Sequence, residues 1–183
     1  MTFHEKANVM DPEAIDKALM RISHEILEKN RDIKNLAIIG IRNRGEYLAR
    51  RIAENINKIK RARVPVGVLD ITLYRDDLTE VAEQPRLRET EIDFDVSVKN
   101  IVLVDDVLYT GRTIRCALDE IIDFGRPLSI QLAVLIDRGH RELPIRADYV
   151  GKNIPTSQRE VIEVRLKECD GADEVIIGEI DGR

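Results

Sequence analysis

A chain of 183 residues, 43% of them hydrophobic and 34% charged, has room for one domain with a proper core and is short for two. Its net charge of -5 argues against indiscriminate binding to nucleic acid or to an anionic membrane. No apolar run approaches the roughly 20 residues of a membrane span, and His4, Glu5 and Lys6 stand where a signal peptide needs an apolar core, so a soluble, cytoplasmic protein is expected.

The charge is uneven. From Glu168 onward six acids (Glu168, Asp170, Asp173, Glu174, Glu179, Asp181) face one base, Arg183, so this tail carries the whole net charge of -5 and the remainder sums to zero. Basic patches can therefore exist under an acidic total. With Trp absent and aromatics at 4%, the core must come from Ile, Leu, Val and Ala. Cys116 and Cys169 are far apart and have no CxxC neighbour; Cys116, in a helical pattern, reads as a buried free thiol.

In chain order, Asp11-Pro12 opens a helix with an N-cap and a proline in the first turn, and Ile15, Leu19, Ile22, Ile26 and Leu27 mark one face. Leu36 to Ile41 is a continuous apolar run, read as a buried strand. A helix is predicted from about Gly45 to Lys60, with Leu48, Ile52, Ile56 and Ile59 on one side, then a strand from Val64 to Leu73. Tyr74 to Asp95 dissolves into charges around Pro85 and predicts a long loop. Ile101 to Val104 predicts a third buried strand ended by Asp105-Asp106. A helix from Thr113 to Phe124 closes at Gly125, and a strand follows from Ile130 to Ile136. In the tail, Ile162, Val164 and Leu166 alternate with Glu163, Arg165 and Lys167 as a half-exposed strand, and Val175 to Ile180 can pair with it. Strand and helix alternating through short connections predict an α/β fold. It is a parallel twisted sheet with helices on both faces, plus a small hood lobe.

The most informative stretch runs from Ile101 to Thr113. An apolar strand meets Asp105 and Asp106, and a turn with Thr110, Gly111 and Arg112 then opens a helix at Thr113. Ligands of open parallel sheets bind at the carboxyl ends of the strands, and amides at a helix N-terminus suit a phosphate. Gly111 lets the backbone close in, the Thr110 and Thr113 hydroxyls add donors, and paired carboxylates suit the vicinal hydroxyls of a sugar. Either half alone is commonly a surface feature; both together in this order point to a site.

All thirteen residues of that stretch resemble the signature of the type I phosphoribosyltransferases for 5-phosphoribosyl 1-diphosphate (PRPP). The resemblance implies that Asp105 and Asp106 hold the ribose hydroxyls and act in catalysis, and that Thr110, Gly111, Arg112 and Thr113 cradle the 5-phosphate. Gly40 to Gly45 stands where the family has its diphosphate loop, so Arg42, Asn43 and Arg44 are expected to neutralise the leaving diphosphate; a solvated basic turn is the alternative. Tyr74 to Asp95 stands at the family's mobile loop, with Tyr74, Arg75 and Asp76 at its start. The chain is expected to be a single domain over 1–183, with that loop at about 74–95 and the hood from about 137 to 183. Mg²⁺ is expected with PRPP near Asp105 and Asp106, with no direct protein ligand set.

Purine enzymes of the family carry an acid beside the base where this chain has Tyr109. The segments from Leu73 to Leu78 and from Asp137 to Thr156 are instead similar to the branch that makes UMP from uracil and binds pyrimidine-operon leader RNA when UMP or UTP is present. That similarity places Asp137, Arg138 and the Tyr149-Val150 backbone in the covering lobe as base contacts. For Tyr149, ordinary packing is at least as good a reading. Two segments are modestly basic, Lys17 to Arg31 and Arg138 to Lys152; Arg21, His24, Arg141, Arg146 and Lys152 are the RNA candidates. Charge alone favours a solvated face, and only the resemblance favours RNA. Four readings stand at this point: the RNA-binding regulator with uracil phosphoribosyltransferase activity, an RNA-binding regulator that keeps the old active site as a nucleotide sensor, a salvage enzyme alone, and a purine or other base-salvage enzyme without RNA function. A homo-oligomer, a dimer or larger, is expected, with no DNA or membrane partner.

Overall fold

The computed structural model describes residues 3–71 and 90–180. Its centre is a five-stranded, all-parallel sheet of β2 (Leu36–Ile41), β3 (Val66–Leu69), β4 (Asn100–Leu108), β5 (Ser129–Asp137) and β6 (Tyr149–Asn153), in the order β3-β2-β4-β5-β6. All six residues of β2 are buried because it is covered on both faces, which is why its sequence is a run and not an alternation.

The two faces can be read residue by residue. Ile38, Val102, Val104, Ala133 and Leu135 point to one side, where α1 (Pro12–Lys29) and α2 (Arg44–Lys60) lay Ile15, Leu19, Ile22, Ile26, Leu48, Ile52 and Ile56 against them. The alternate residues Ala37, Ile39, Ile101, Leu103, Leu132 and Val134 meet Ile114, Ala117 and Ile121 of α3 (Arg112–Phe124) on the other. This period of two along the strands and of 3.6 along the helices yields two cores separated by one sheet. The caps are those expected: Asp11 accepts from the Ala14 amide at 2.8 Å, and α3 ends at Gly125.

A second, antiparallel sheet has the order β1-β8-β7, from β1 (Phe3–Met10), β8 (Glu174–Ile180) and β7 (Glu160–Arg165), with the short α4 (Lys167–Asp170) between β7 and β8. Ile162, Val164, Leu166 and Val175 belong to the same apolar cluster as α1 and α2.

Five expectations need correction. β1 was not visible in the sequence, because five of its eight residues are exposed and leave no buried alternation; its order comes from pairing with β8. β6 belongs to the main sheet, so the covering lobe is not the single stretch from 137 onward; it takes in the N-terminal strand and leaves out Tyr149–Asn153. β4 does not stop at Asp105-Asp106 but pairs with β5 as far as Leu108. β3 is shorter than Val64 to Leu73, and its last two expected residues lie outside the described ones. Of the expected loop, residues 74–89 also lie outside them. Residues 90–95 are not free loop, since Glu91 and Val68 exchange two backbone hydrogen bonds of 2.8 Å each.

Candidate functional site

The carboxyl end of β4 lies mid-sheet, between β2 and β5. Asp105 is buried and accepts from the Asp106 amide at 2.9 Å; Asp106 is half-buried and accepts from the Val107 amide at 2.8 Å. Each carboxylate is thus turned by its own neighbouring backbone, and the pair lies in the last residues of β4, just before the Thr110–Gly111 turn. Gly111 caps α3 with φ +94°, a conformation that costs glycine nothing. The amides of the first turn of α3 have no intrahelical acceptor, and the helix dipole points its positive end at this loop. The Thr110 hydroxyl accepts from the Arg112 amide at 3.3 Å, and its carbonyl takes the Glu142 and Leu143 amides at 3.0 and 3.2 Å. The loop before β6 therefore fixes the turn from outside. Arg112 pairs with Glu142 at 2.6 Å, and Thr113 is half-buried at the helix start.

Residues 42–44 connect β2 to α2. A Cβ on Gly45 would sit 2.5 Å from the Val104 carbonyl oxygen and 3.2 Å from the Asp105 Cα, and one on Gly40 would sit 2.5 Å from the Gly45 carbonyl. Only glycines allow α2 to start this close to β4, and this approach brings the start of α2 alongside Asp105, with Arg44 near enough for the charge of Asp106 to act on it. The Arg42–Asn43 peptide is cis. Arg42 reaches Glu91 at 3.1 Å. Arg44 is gripped by Asp170 of α4 through Nε at 3.0 Å and Nη2 at 2.9 Å. Burial acts to lower the Arg44 pKa, but the Asp170 bonds and charge, with the charge of Asp106, hold it above its ordinary value.

Beyond β4 and β5 opens a cleft of about 480 Å³ lined by Asp137, Arg138, His140, Arg141, Asn153 and Thr156, among others. Arg138 is buried, donates to Thr156 Oγ1 at 3.1 Å and the Glu160 carbonyl at 2.6 Å, and lies over the Tyr109 ring. Asp137 is paired with Arg141. Tyr149 is not in this cleft. Its ring is 3% exposed, its hydroxyl donates to Gln131 at 2.6 Å, and burial pushes its pKa up to about 12. It packs in the core, so stacking on a base is set aside; Val150 is its neighbour on the same edge strand.

The basic candidates divide. Arg21 on α1 donates to the Val150 and Gly151 carbonyls at 3.1 and 2.6 Å, and Lys152 to the Val9 carbonyl at 2.8 Å, so the two distant basic segments do meet along α1 and β6. His24 and Arg146 are exposed. Arg141 is the exception. Its guanidinium is spent on the carbonyls of Leu108, Tyr109, Gly139 and Ile145 and on Asp137, because it ties the ends of β4 and β5 together. It does not share an open basic face with the others. Tyr74, Arg75 and Asp76 lie outside the described residues.

Sequence reasoning missed Asp170, Glu91, Glu142 and Thr156, each of which holds a candidate residue in place. No local signal marks them, since their partners lie 18 to 126 residues away. Among the described residues no three His, Cys, Asp or Glu side chains gather as a metal-binding group, and no helix is long and apolar enough to cross a membrane.

A family model of the phosphoribosyl transferase domain matches residues 7–168. Proteins named "Bifunctional protein PyrR" match along nearly their whole length. That of Pelotomaculum thermopropionicum is 62% identical over 173 residues, 94% of this chain and 96% of the relative. That of Deinococcus radiodurans is 60% identical over 168 residues, 92% of each chain, and that of Clostridioides difficile is 59% identical over 175 residues, 96% of this chain and 99% of the relative. The fold is shared with the hypoxanthine phosphoribosyltransferase of Trypanosoma cruzi, with TM-score 0.74 at 14% identity over 97% of this chain and 98% of that one. It is shared too with a hypoxanthine phosphoribosyltransferase of Staphylococcus aureus, with TM-score 0.71 at 17% identity over 98% of this chain and 94% of that one. From the strand-end aspartates to the family match, one conclusion follows: the chain belongs to the phosphoribosyltransferase family, in the branch of the bifunctional PyrR proteins.

Proposed function

We propose that the protein transfers ribose 5-phosphate from PRPP to uracil, giving UMP and diphosphate, and that it binds a pyrimidine-operon leader RNA in response to uridine nucleotides. The observation that carries the enzymatic reading is the placement of Asp105 and Asp106 beside the Thr110–Gly111 turn at the end of β4. A sugar's vicinal hydroxyls and its 5-phosphate are recognised there by adjoining groups.

The uracil N1 forms a bond to the anomeric carbon and gives up its proton as the bond from that carbon to the diphosphate oxygen breaks, through an oxocarbenium-like state. Asp105 and Asp106 hold the ribose hydroxyls and face the positive charge that develops on the ring. Arg42 and Arg44 neutralise the departing diphosphate. Carboxylate oxygens are the hard donors that Mg²⁺ prefers, so Asp105 and Asp106 fit an ion brought in on PRPP; when bound it makes diphosphate a better leaving group. Arg138 and Asp137 line the base cleft, and Tyr109 stacks against Arg138.

The RNA reading rests on the PyrR relatives and on the meeting of Arg21 with the 150–152 strand, which makes one basic strip of two separate segments. A dimer or larger assembly in the cytoplasm completes the proposal. The test is direct. Purified protein is given PRPP, Mg²⁺ and labelled uracil, and a leader hairpin is titrated with and without UMP. UMP formation together with UMP-strengthened hairpin binding supports both halves; failure of either removes that half.

A further inference from the structure

The acidic tail looks in the sequence like solvated charge, yet the structure folds it onto the start of α2. Asp170 makes a two-bond contact with Arg44, at 3.0 Å to Nε and 2.9 Å to Nη2. The carboxylate is itself immobilised, since its Oδ2 also accepts from the Leu166 amide at 2.9 Å and from the Cys169 thiol at 3.1 Å. It is a fixed anion gripping one edge of a long, otherwise mobile side chain. Nη1 of Arg44 makes no hydrogen bond to any described residue, and Asp106 is close enough for its charge to act on the guanidinium.

A second tie, one step along α2, supplies an internal control. Arg51 binds Glu168 at 2.6 and 2.9 Å and Asp173 at 2.7 Å, and Asp173 also accepts from the Lys167 amide at 2.9 Å. This second pairing docks the same 167–173 segment on the same helix, without touching the residues next to the aspartates. The docking of the lobe is therefore already provided for, and the Asp170 contact falls on the one arginine of α2 that stands beside Asp106.

We propose that Asp170 is a positioning residue for the transfer reaction: it holds the Arg44 guanidinium at the diphosphate side of the site so that its remaining N–H groups meet the leaving group without a search for the right rotamer. The inference rests on the reading of Arg44 as a diphosphate contact. Burial opposes ionisation, but the Leu166 amide and Arg44 keep the Asp170 pKa down at about 2, so the anchor is charged throughout the working pH range. Positioning and competition predict opposite signs. An anion that merely occupied Arg44 would be displaced by PRPP, and its removal would tighten PRPP binding.

The experiment is steady-state kinetics on the full chain, with PRPP varied at saturating uracil, for the wild type, Arg44→Ala, Asp170→Asn, the double variant and Asp173→Asn. Asp170→Asn is expected to raise KM for PRPP about tenfold, with kcat and the uracil KM within about threefold of wild type. It should add nothing further in the Arg44→Ala background, and Asp173→Asn should leave the PRPP KM unchanged. Asp170→Glu, which keeps the charge but moves it by one methylene, should lie between; it serves as the main variant if Asp170→Asn does not fold. An unchanged or lowered PRPP KM in Asp170→Asn overturns the inference. So does an equal rise in Asp173→Asn, or full additivity with Arg44→Ala. Wild-type PRPP kinetics in Arg44→Ala would instead remove the underlying reading of Arg44, an outcome separate from all of these.

Discussion

The guanidinium of Arg138 lies over the ring of Tyr109, its central carbon 4.0 Å from the ring centroid. Because Arg138 lines the cleft, is 5% exposed and is held by Thr156 and the Glu160 carbonyl, it fixes the stacked tyrosine beside the cleft. A cation over an aromatic face is worth about 2 kcal/mol when desolvated, enough to hold the tyrosine in one rotamer. Where purine enzymes of the family place an acid, this site therefore presents an aromatic ring backed by positive charge. With PRPP and Mg²⁺, uracil should be consumed while hypoxanthine, guanine and orotate are not. Arg138→Lys, which loses the planar fork, should raise the uracil KM several-fold and leave that of PRPP alone. Product chromatography with each base in turn is the check, and efficient use of a purine would count against the uracil assignment.

Asp106→Asn should lower turnover on the order of a hundredfold or more while leaving the fold intact. The side chain is half-buried near a strand end and accepts from the adjacent Val107 amide, a bond an asparagine oxygen can still accept. What it loses is charge, which the proposed reaction needs for the ribose hydroxyls and the developing cation. An unshifted melting curve with near-normal UMP formation would be the contrary result.

How much of this could be read from the chain depended on where the information was local. β2 was legible because Leu36 to Ile41 is buried on both sides, and the Ile101–Thr113 stretch because its chemistry lies within one strand, one turn and one helix start. β1 was not, because a strand on the rim of a small sheet buries almost nothing and takes its order from β8. β6 mixes Tyr149, Val150, Gly151, Lys152 and Asn153, a composition that suggests a loop; parallel pairing with β5 overrides it. Arg141 counted as a surface charge in the sequence, but the backbone carbonyls around it can only be seen once β4 and β5 lie side by side. The tie between Arg44 and Asp170 spans 126 residues and leaves no periodic trace.

Glu120 of α3 is a buried acid. Its Oε1 accepts from the Thr90 hydroxyl at 2.7 Å, while its Oε2 is buried without a hydrogen-bond partner among the described residues. Burial raises its pKa above the ordinary carboxylate value, and the charges of Asp70 and Asp123 add to the rise. Between the unfolded and folded values the native state holds the extra proton, so stability falls as pH rises through that window and stays lower above it. Glu120→Gln keeps an oxygen for Thr90 and cannot ionise. The melting temperature of the variant minus that of wild type should therefore increase from about pH 4 toward neutrality and then level off. A flat difference across that range would mean that Glu120 is not strained by ionisation.

The remaining prediction separates two arginines that the sequence treated alike. Arg146 is exposed and two residues before Asp148, which pairs with Lys29 of α1; that neighbourhood puts it near the strip where Arg21 meets the Val150 and Gly151 carbonyls. Arg141 is committed to four carbonyls and to Asp137, one of the residues lining the cleft proposed for the base. A basic side chain that meets a phosphate contributes roughly one unit of salt slope to binding. Arg146→Ala should accordingly weaken binding of a leader hairpin and flatten its salt dependence by about that amount, with uracil turnover unchanged. Arg141→Ala should instead lower turnover, because the ends of β4 and β5 lose their tie and the Asp137 side of the cleft loosens. Any loss of RNA affinity it causes should come with little change in salt slope. Filter binding across a salt series, run beside the uracil assay on the same preparations, checks both. If Arg146→Ala lost turnover and RNA binding together, or if Arg141→Ala lost only salt slope, the division between an RNA strip and a structural arginine would be wrong.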